Sequence, residues 1–195
     1  MSNIPSFGKA ISVLGTGIGF PGTAARLGDR IVKARVNSNV SLNINFGDSC
    51  LLIPDSEGGS WQSVADFMAH GGSVANAEAY WAGIAFREVQ TMYTYPENVV
   101  PGTNDPVGFY PPGVETEVME RGSIAVKIAA GTPLANMSVF LRLVANPLVP
   151  GSAIGDFEAA ADGSNTYQLP SVRFSTGVLD ANGVAEITLM KREAA

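Results

Sequence analysis

Glu115, Glu117 and Glu120, with Asp105 upstream, form a carboxylate-rich stretch that would suit glycoside hydrolysis or a hard metal ion. Hydrolysis needs two carboxylates facing one cleft at a set separation, and calcium needs oxygen ligands converging from a loop. On a strand, however, Glu115 and Glu117 share one face and Val114, Thr116 and Val118 the other, which is the pattern of a solvated strand. His70 is the single histidine, so any Ser–His–Asp or Cys–His arrangement must use it. It sits beside Gly71 and Gly72 at the edge of a helical pattern, where a surface position or a cation at a helix C-terminus is the simpler role. Cys50 lies in an apolar strand and reads as a small buried hydrophobe. Gly17-Ile18-Gly19-Phe20-Pro21-Gly22 has the spacing of a dinucleotide-binding loop. That loop must open a helix inside a βαβ unit, whereas Pro21 removes an N–H donor and the elements that follow read as strands. We therefore expect no catalytic residue, no cofactor and no metal site.

The bulk composition fits that expectation. A chain of 195 residues makes one ordinary domain with a proper core. Charged residues are 15%, hydrophobic residues 46%, and 22 glycines and 12 prolines favour short strands joined by tight turns. The net charge of −6 and the lack of a basic cluster oppose nucleic-acid binding, which relies on clustered Lys and Arg. Charge is uneven along the chain: Lys9, Arg26, Arg30, Lys33 and Arg35 lie early, and the segment from Asp105 to Glu120 is acidic. One cysteine excludes an intramolecular disulfide framework. No stretch reaches the roughly 20 apolar residues that span a bilayer, and Met1 to Ala10 has no signal-peptide pattern, so neither a membrane nor secretion is expected.

Residues 1–28 are rich in Gly, Pro and Ser and read as an extended arm ahead of a single β domain, 29–195. Strands are expected at Ile31 to Val36, Val40 to Phe46, Cys50 to Ile53, Gly83 to Tyr95, Val114 to Met119, Ser123 to Ala129, Met137 to Val144, Val172 to Val178 and Val184 to Met190. Val40, Leu42, Ile44 and Phe46 alternate with polar residues in a two-residue period. Asn182-Gly183 signals a hairpin between the last two strands. The segment 55–80 has Trp61, Val64, Ala65 and Met68 at helical spacing and reads as an insertion with one short helix. About 8–10 short strands argue for an all-β jelly roll, small barrel or sandwich. Trp61, Tyr80, Trp81, Tyr93, Tyr95, Phe109 and Tyr110 are candidate exposed aromatics, about half of them expected in the core and the rest able to anchor a protein partner or to line a carbohydrate surface.

The run Ala82-Gly83-Ile84-Ala85-Phe86-Arg87-Glu88-Val89, then Tyr110, Pro112-Gly113, Glu117, Glu120-Arg121-Gly122-Ser123-Ile124-Ala125-Val126-Lys127, and finally Leu169-Pro170 to Glu186-Ile187, resembles the structural cement (capsid decoration) proteins of tailed bacteriophages. The resemblance covers about three quarters of the chain. It implies a non-enzymatic virion protein that binds the outside of an HK97-like shell of major capsid proteins. The protein would act there as a homodimer or homotrimer, with no nucleic-acid or membrane partner, after synthesis in the host cytoplasm. On that reading capsid or subunit contacts fall in 1–28 and in the loops 93–112 and 145–157. The contact residues would be Phe7, Phe20, Arg26, Tyr93, Tyr95, Phe109 and Tyr110. A tail, fibre or receptor-binding module, and a small hydrolase, are the alternative classes.

Overall fold

The computed structural model describes residues 18–26, 28–87 and 108–190. Its strands are β1 (Ile31–Val36), β2 (Ile44–Asn45), β3 (Ser49–Ile53), β4 (Ser60–Ser63), β5 (Trp81–Ala85), β6 (Phe109–Tyr110), β7 (Glu115–Ala130), β8 (Ser138–Arg142), β9 (Phe157–Glu158), β10 (Thr166–Phe174) and β11 (Val184–Met190). Two short helices, α1 (Val64–Ala69) and α2 (Val74–Tyr80), stand between β4 and β5. The protein is thus mostly β, and of the architectures expected it adopts the barrel.

β7 organises everything else. Its first half pairs with β1, from Val36↔Glu115 to Ile31↔Arg121, and its second half with β11, from Met190↔Arg121 to Val184↔Lys127. The opposite edge takes β5 at Met119 and Val118, the chain around Ala24 at Ile124, and β9 in parallel at Ile128. The order β7-β9-β8-β10-β11 then closes on β7 to make a five-stranded mixed barrel. Ile124, Val126, Leu141, Leu169, Phe174 and Ile187 fill it, each almost wholly buried.

The other half of the sheet, β1-β7-β5-β3-β4, curls into a smaller roll. An isolated bridge from Asn37 to Trp61 draws its ends together, and the Ser38 N–H donates to the Trp61 carbonyl at 2.7 Å. Trp61, fully buried, centres a second core with Ile44, Cys50, Ala82, Ala85 and Val118. Its indole N–H donates to the Lys33 carbonyl at 3.2 Å. Burial of a side chain this large is worth about 3 kcal/mol, so among the candidate aromatics Trp61 is one of those in the core.

Several local expectations are corrected. Val40 to Phe46 is not a strand; only Ile44–Asn45 is paired, and Val40 and Leu42 are exposed. The N–H groups of Val40, Ser41 and Leu42 are all taken by the Asp66 carboxylate, so none is left for a ladder. The segment 55–80 holds two helices and a strand, because Ser63 and Ser73 each cap a separate helical turn, accepting from Asp66 N–H and Asn76 N–H. The two strands expected around Gly122 are one 16-residue strand, with Gly122 at φ +126° absorbing the twist where β1 ends and β11 begins. Asn182-Gly183 does lie in a turn, closed by Gly183 N–H to Asp180 O at 3.0 Å. The connection from Phe174 to Val184 is nevertheless longer than a two-residue hairpin.

The β5–β7 approach leaves no room for a side chain at Gly83. A Cβ on Gly83 would stand 2.3 Å from the Met119 carbonyl oxygen, a backbone atom that cannot move without breaking the pairing. Gly83→Ala should therefore cost about 3 kcal/mol or more. Gly28→Ala, with nothing within 4 Å, should stay within about 0.5 kcal/mol of the parent. Urea unfolding of the two variants checks this.

Candidate functional site

The residues that suggested chemistry do not converge. Glu115 is exposed and Glu117 half-buried, while Glu120 is buried and held by Lys33 Nζ at 3.0 Å. Among the described residues no group of three or more His, Cys, Asp or Glu side chains could hold a metal; Asp105 lies outside them. His70 caps α1, its Nδ1 2.8 Å from the Asp66 carbonyl oxygen and 3.5 Å from the carboxylate. That carboxylate is committed to structure. Cys50 is fully buried, and burial, helped by Asp48, pushes its thiol up, the opposite of what a nucleophile requires. Gly22 spends its N–H on the Ala125 carbonyl at 2.8 Å, and the chain there runs along β7 with no helix opening, so no anion cradle forms.

Two buried charges, by contrast, build a surface. Asp66 is 0% exposed. Burial works against its charged form, yet donors from Val40 N–H, the Gln62 amide, Leu42 N–H and Ser41 N–H outweigh it and hold the carboxyl below its ordinary range. The result is a rigid loop that turns Val40 and Leu42 to solvent, near Val36 and Val114, also exposed, at the joined ends of β1 and β7.

Arg142 is the second charge, 0% exposed at the end of β8. Its guanidinium grips both Glu158 oxygens, Nη2 reaching Oε2 at 3.0 Å, and donates from Nη1 to Asp162 at 2.9 Å and to the Val144 carbonyl at 3.1 Å. Nε also donates to Ser152 Oγ at 2.8 Å. These bonds, led by Glu158, hold the arginine protonated, and the same network, led by Asn146, keeps the Asp162 carboxyl low. Both ends of the 145–156 loop are tied to this fork. Asn146 donates to Asp162 at 2.7 Å and accepts from the Leu148 N–H at 3.0 Å. Leu148 is thereby held 88% exposed. Leu134, Met137 and Val178 are exposed where the 131–137 and 175–183 loops touch, at one end of the barrel.

Of the residues expected to make contacts, Phe20 is 52% exposed with Arg87 stacked 5.4 Å from its ring. Arg26 reaches back to Glu186 at 2.5 Å. Phe109 and Tyr110 pair with β2; the Tyr110 hydroxyl donates to the Phe86 carbonyl at 2.7 Å, and its ring meets Phe46 edge-on. Phe7, Tyr93 and Tyr95 lie outside the described residues. Leu148 and the Asp66 and Arg142 anchors were not singled out beforehand. Arg142 did leave a signal, a charge inside the apolar run Val139 to Val144.

A family model for the structural cement protein (E217 gp24/Pam3 gp6) matches residues 11–190. The chain belongs to the phage structural cement protein family. It is a non-enzymatic component of the virion capsid, which it decorates. Its fold is similar to that of a chain from the capsid of Myoviridae phage XM1, with a TM-score of 0.55 and 17% identity over 88% of this chain and 89% of that one. No curated protein matches the sequence. For a cement protein, apolar side chains fixed in solvent by buried charges are the parts of the surface that gain most from being covered.

A cleft of about 420 Å3 separates the Phe20 segment from the far end of the 145–156 loop, lined by Pro21, Asp48, Lys127, Gly155 and Asp156 among others. Burial, with Asp156 nearby, pushes Asp48 up to about 6 from its ordinary 3.8. Between those two values the folded protein keeps a proton that the unfolded chain has lost, so stability from this group falls as pH rises through that window. Asp48→Asn should flatten part of the fall in melting temperature between pH 4 and 6. Arg142→Met, which strands Glu158 in the interior, should cost about 3–5 kcal/mol by denaturant titration.

Proposed function

We propose that this cement protein binds the outer surface of a shell of HK97-like major capsid proteins as a small homo-oligomer, dimer or trimer. The contact is centred on the 145–156 loop and the Phe20 segment. The observation that carries this is Leu148, 88% exposed yet held by the fully buried Arg142 network. A large apolar side chain in solvent gains about 1.5–3 kcal/mol when covered, and a loop already fixed loses little freedom on binding. Phe20 is a second exposed apolar side chain, 52% exposed, in the segment that leads to Pro21 at the cleft. Many copies on one lattice then add modest individual contacts into avidity.

Neutral, apolar contacts fit this chain better than charge pairing. The net charge is −6, and the exposed hydrophobics Leu134, Met137, Leu148 and Val178 stand on loops with few ionisable groups. Such a contact tolerates salt, since screening acts on charge and not on apolar burial.

Leu148→Glu should lower occupancy on expanded heads at least about tenfold, as expected for roughly 1.4 kcal/mol or more of lost burial, while the melting temperature of the isolated protein stays unchanged. Sedimentation equilibrium should give a dimer or trimer. Full occupancy by Leu148→Glu would remove the loop from the contact, and a monomer at micromolar concentration would remove the oligomer.

A further inference from the structure

Upstream of Ala25 the chain runs antiparallel to β7. Ala25 N–H donates to the Ser123 carbonyl at 2.9 Å, Ala125 N–H to that of Thr23 at 3.0 Å, and Gly22 N–H to that of Ala125 at 2.8 Å. Followed backwards from Ala25, the segment therefore travels towards the end of β7 at Ala130. There the Ile18 N–H donates to Asp180 Oδ2 at 3.3 Å. The other oxygen of that carboxylate accepts from Asn182 N–H at 2.8 Å and from Val184 N–H at 2.9 Å, which shapes the 175–183 loop. Residues 1–17 consequently leave the barrel beside this loop.

That end of the barrel presents Leu134, Met137, Val178 and Leu179 as exposed apolar side chains. The loops that carry them are held in shape. Met137 N–H closes a turn on the Leu134 carbonyl at 3.0 Å, and Asn136, at φ +65°, donates its N–H to the Phe174 carbonyl at 2.8 Å. Gly177 lies against that turn, since a Cβ on it would stand 3.5 Å from Leu134 Cα, so the two loops make one surface. Val178 and Leu179 immediately precede Asp180, within about 7 Å of it along the chain. No residue in 131–137 or 175–179 is ionisable.

We propose that the run Ile11-Ser12-Val13-Leu14 of the same chain folds back onto this patch and covers Leu134, Val178 and Leu179. The occupant follows from where the chain leaves the barrel. Leu14 is four residues before Ile18, so an extended chain carries it about 13 Å from Asp180, far enough to cross to the Leu134 turn. Residues 10–17 are uncharged, like the patch, and hold three large apolar side chains. Tethered at Ile18, the segment meets the patch at an effective concentration on the order of millimolar, above that of any free chain in a dilute solution. Covering a contiguous apolar patch in this way keeps it from pairing with other molecules. The inference goes beyond the capsid-binding reading and stands without it. β8 runs from Ser138, beside this patch, to Arg142, which anchors the Leu148 loop, so the two surfaces are separate.

Lys9 is the only tryptic site before Arg26, so limited trypsin digestion of the full-length protein reads the covering directly. Val13→Asp, on the segment, and Val178→Asp, at an exposed position on the patch, should each speed cleavage after Lys9 about tenfold or more, because cleavage follows the population of the released segment. Both variants should melt near the parent's temperature. Methyl NMR of the full-length parent should show cross-peaks from Val13 and Leu14 to Leu134 and Val178, and a mixture of labelled and unlabelled protein should show none between chains. Equal cleavage of the parent and both variants would overturn the proposal, as would a parent spectrum without those cross-peaks. Cross-peaks seen only between chains would give the patch to the segment of a second copy and overturn it too.

Discussion

Both edges of β7 are hydrogen-bonded, and both cores of the molecule are built on it. β1 and β11 meet end to end on one edge at Arg121, and β5, the segment around Ala24, and β9 follow one another on the other. A strand of 16 residues can serve two cores only if its twist is distributed, and Gly122, at φ +126°, stands where the partners change. Met119 and Val118 illustrate the division: Met119 packs into the barrel core, Val118 into that of the roll, and both pair with β5. A shared strand makes the two halves one cooperative body.

That rigid frame gives meaning to the buried charges. Asp66 and Arg142 are each 0% exposed, and each is saturated by donors or acceptors from a loop that would otherwise be loose. A buried charge is stable only when every bond to it is made, so each one fixes its loop in a single arrangement. The consequence is apolar side chains, Val40, Leu42 and Leu148, standing in water at defined positions. An ordinary soluble protein gains nothing from this arrangement. On the proposed capsid contact, the ordering cost of this surface is met during folding and not during docking.

Much of the frame was legible in the sequence because it depends on local pattern. β1, β3 and β11 lie where strands were expected, and the segments that carried the family resemblance, around Gly83 and around Glu120 to Lys127, turn out to be β5 and β7. Within the first of them, a Cβ on Gly83 would stand 2.3 Å from the Met119 carbonyl oxygen. The misread parts depend on distant partners. Val40 to Phe46 alternates like a strand, but Asp66, more than 20 residues on, captures its N–H groups. β9 is two residues long and paired in parallel, below what any periodicity can register. Trp61 sits in a helix-like pattern, and only the closure of the roll puts it inside. Leu148 could not be told from a buried leucine, since its exposure is set by Asn146, Asp162 and Arg142 acting together.

A cryo-electron microscopy map of expanded heads saturated with the protein would test the account most directly. The account predicts density on the outer face of the shell at a fixed stoichiometry, with the 145–156 loop and the Phe20 segment turned towards the capsid proteins. Heads without added density, or copies bound with Leu148 facing solvent, would contradict it.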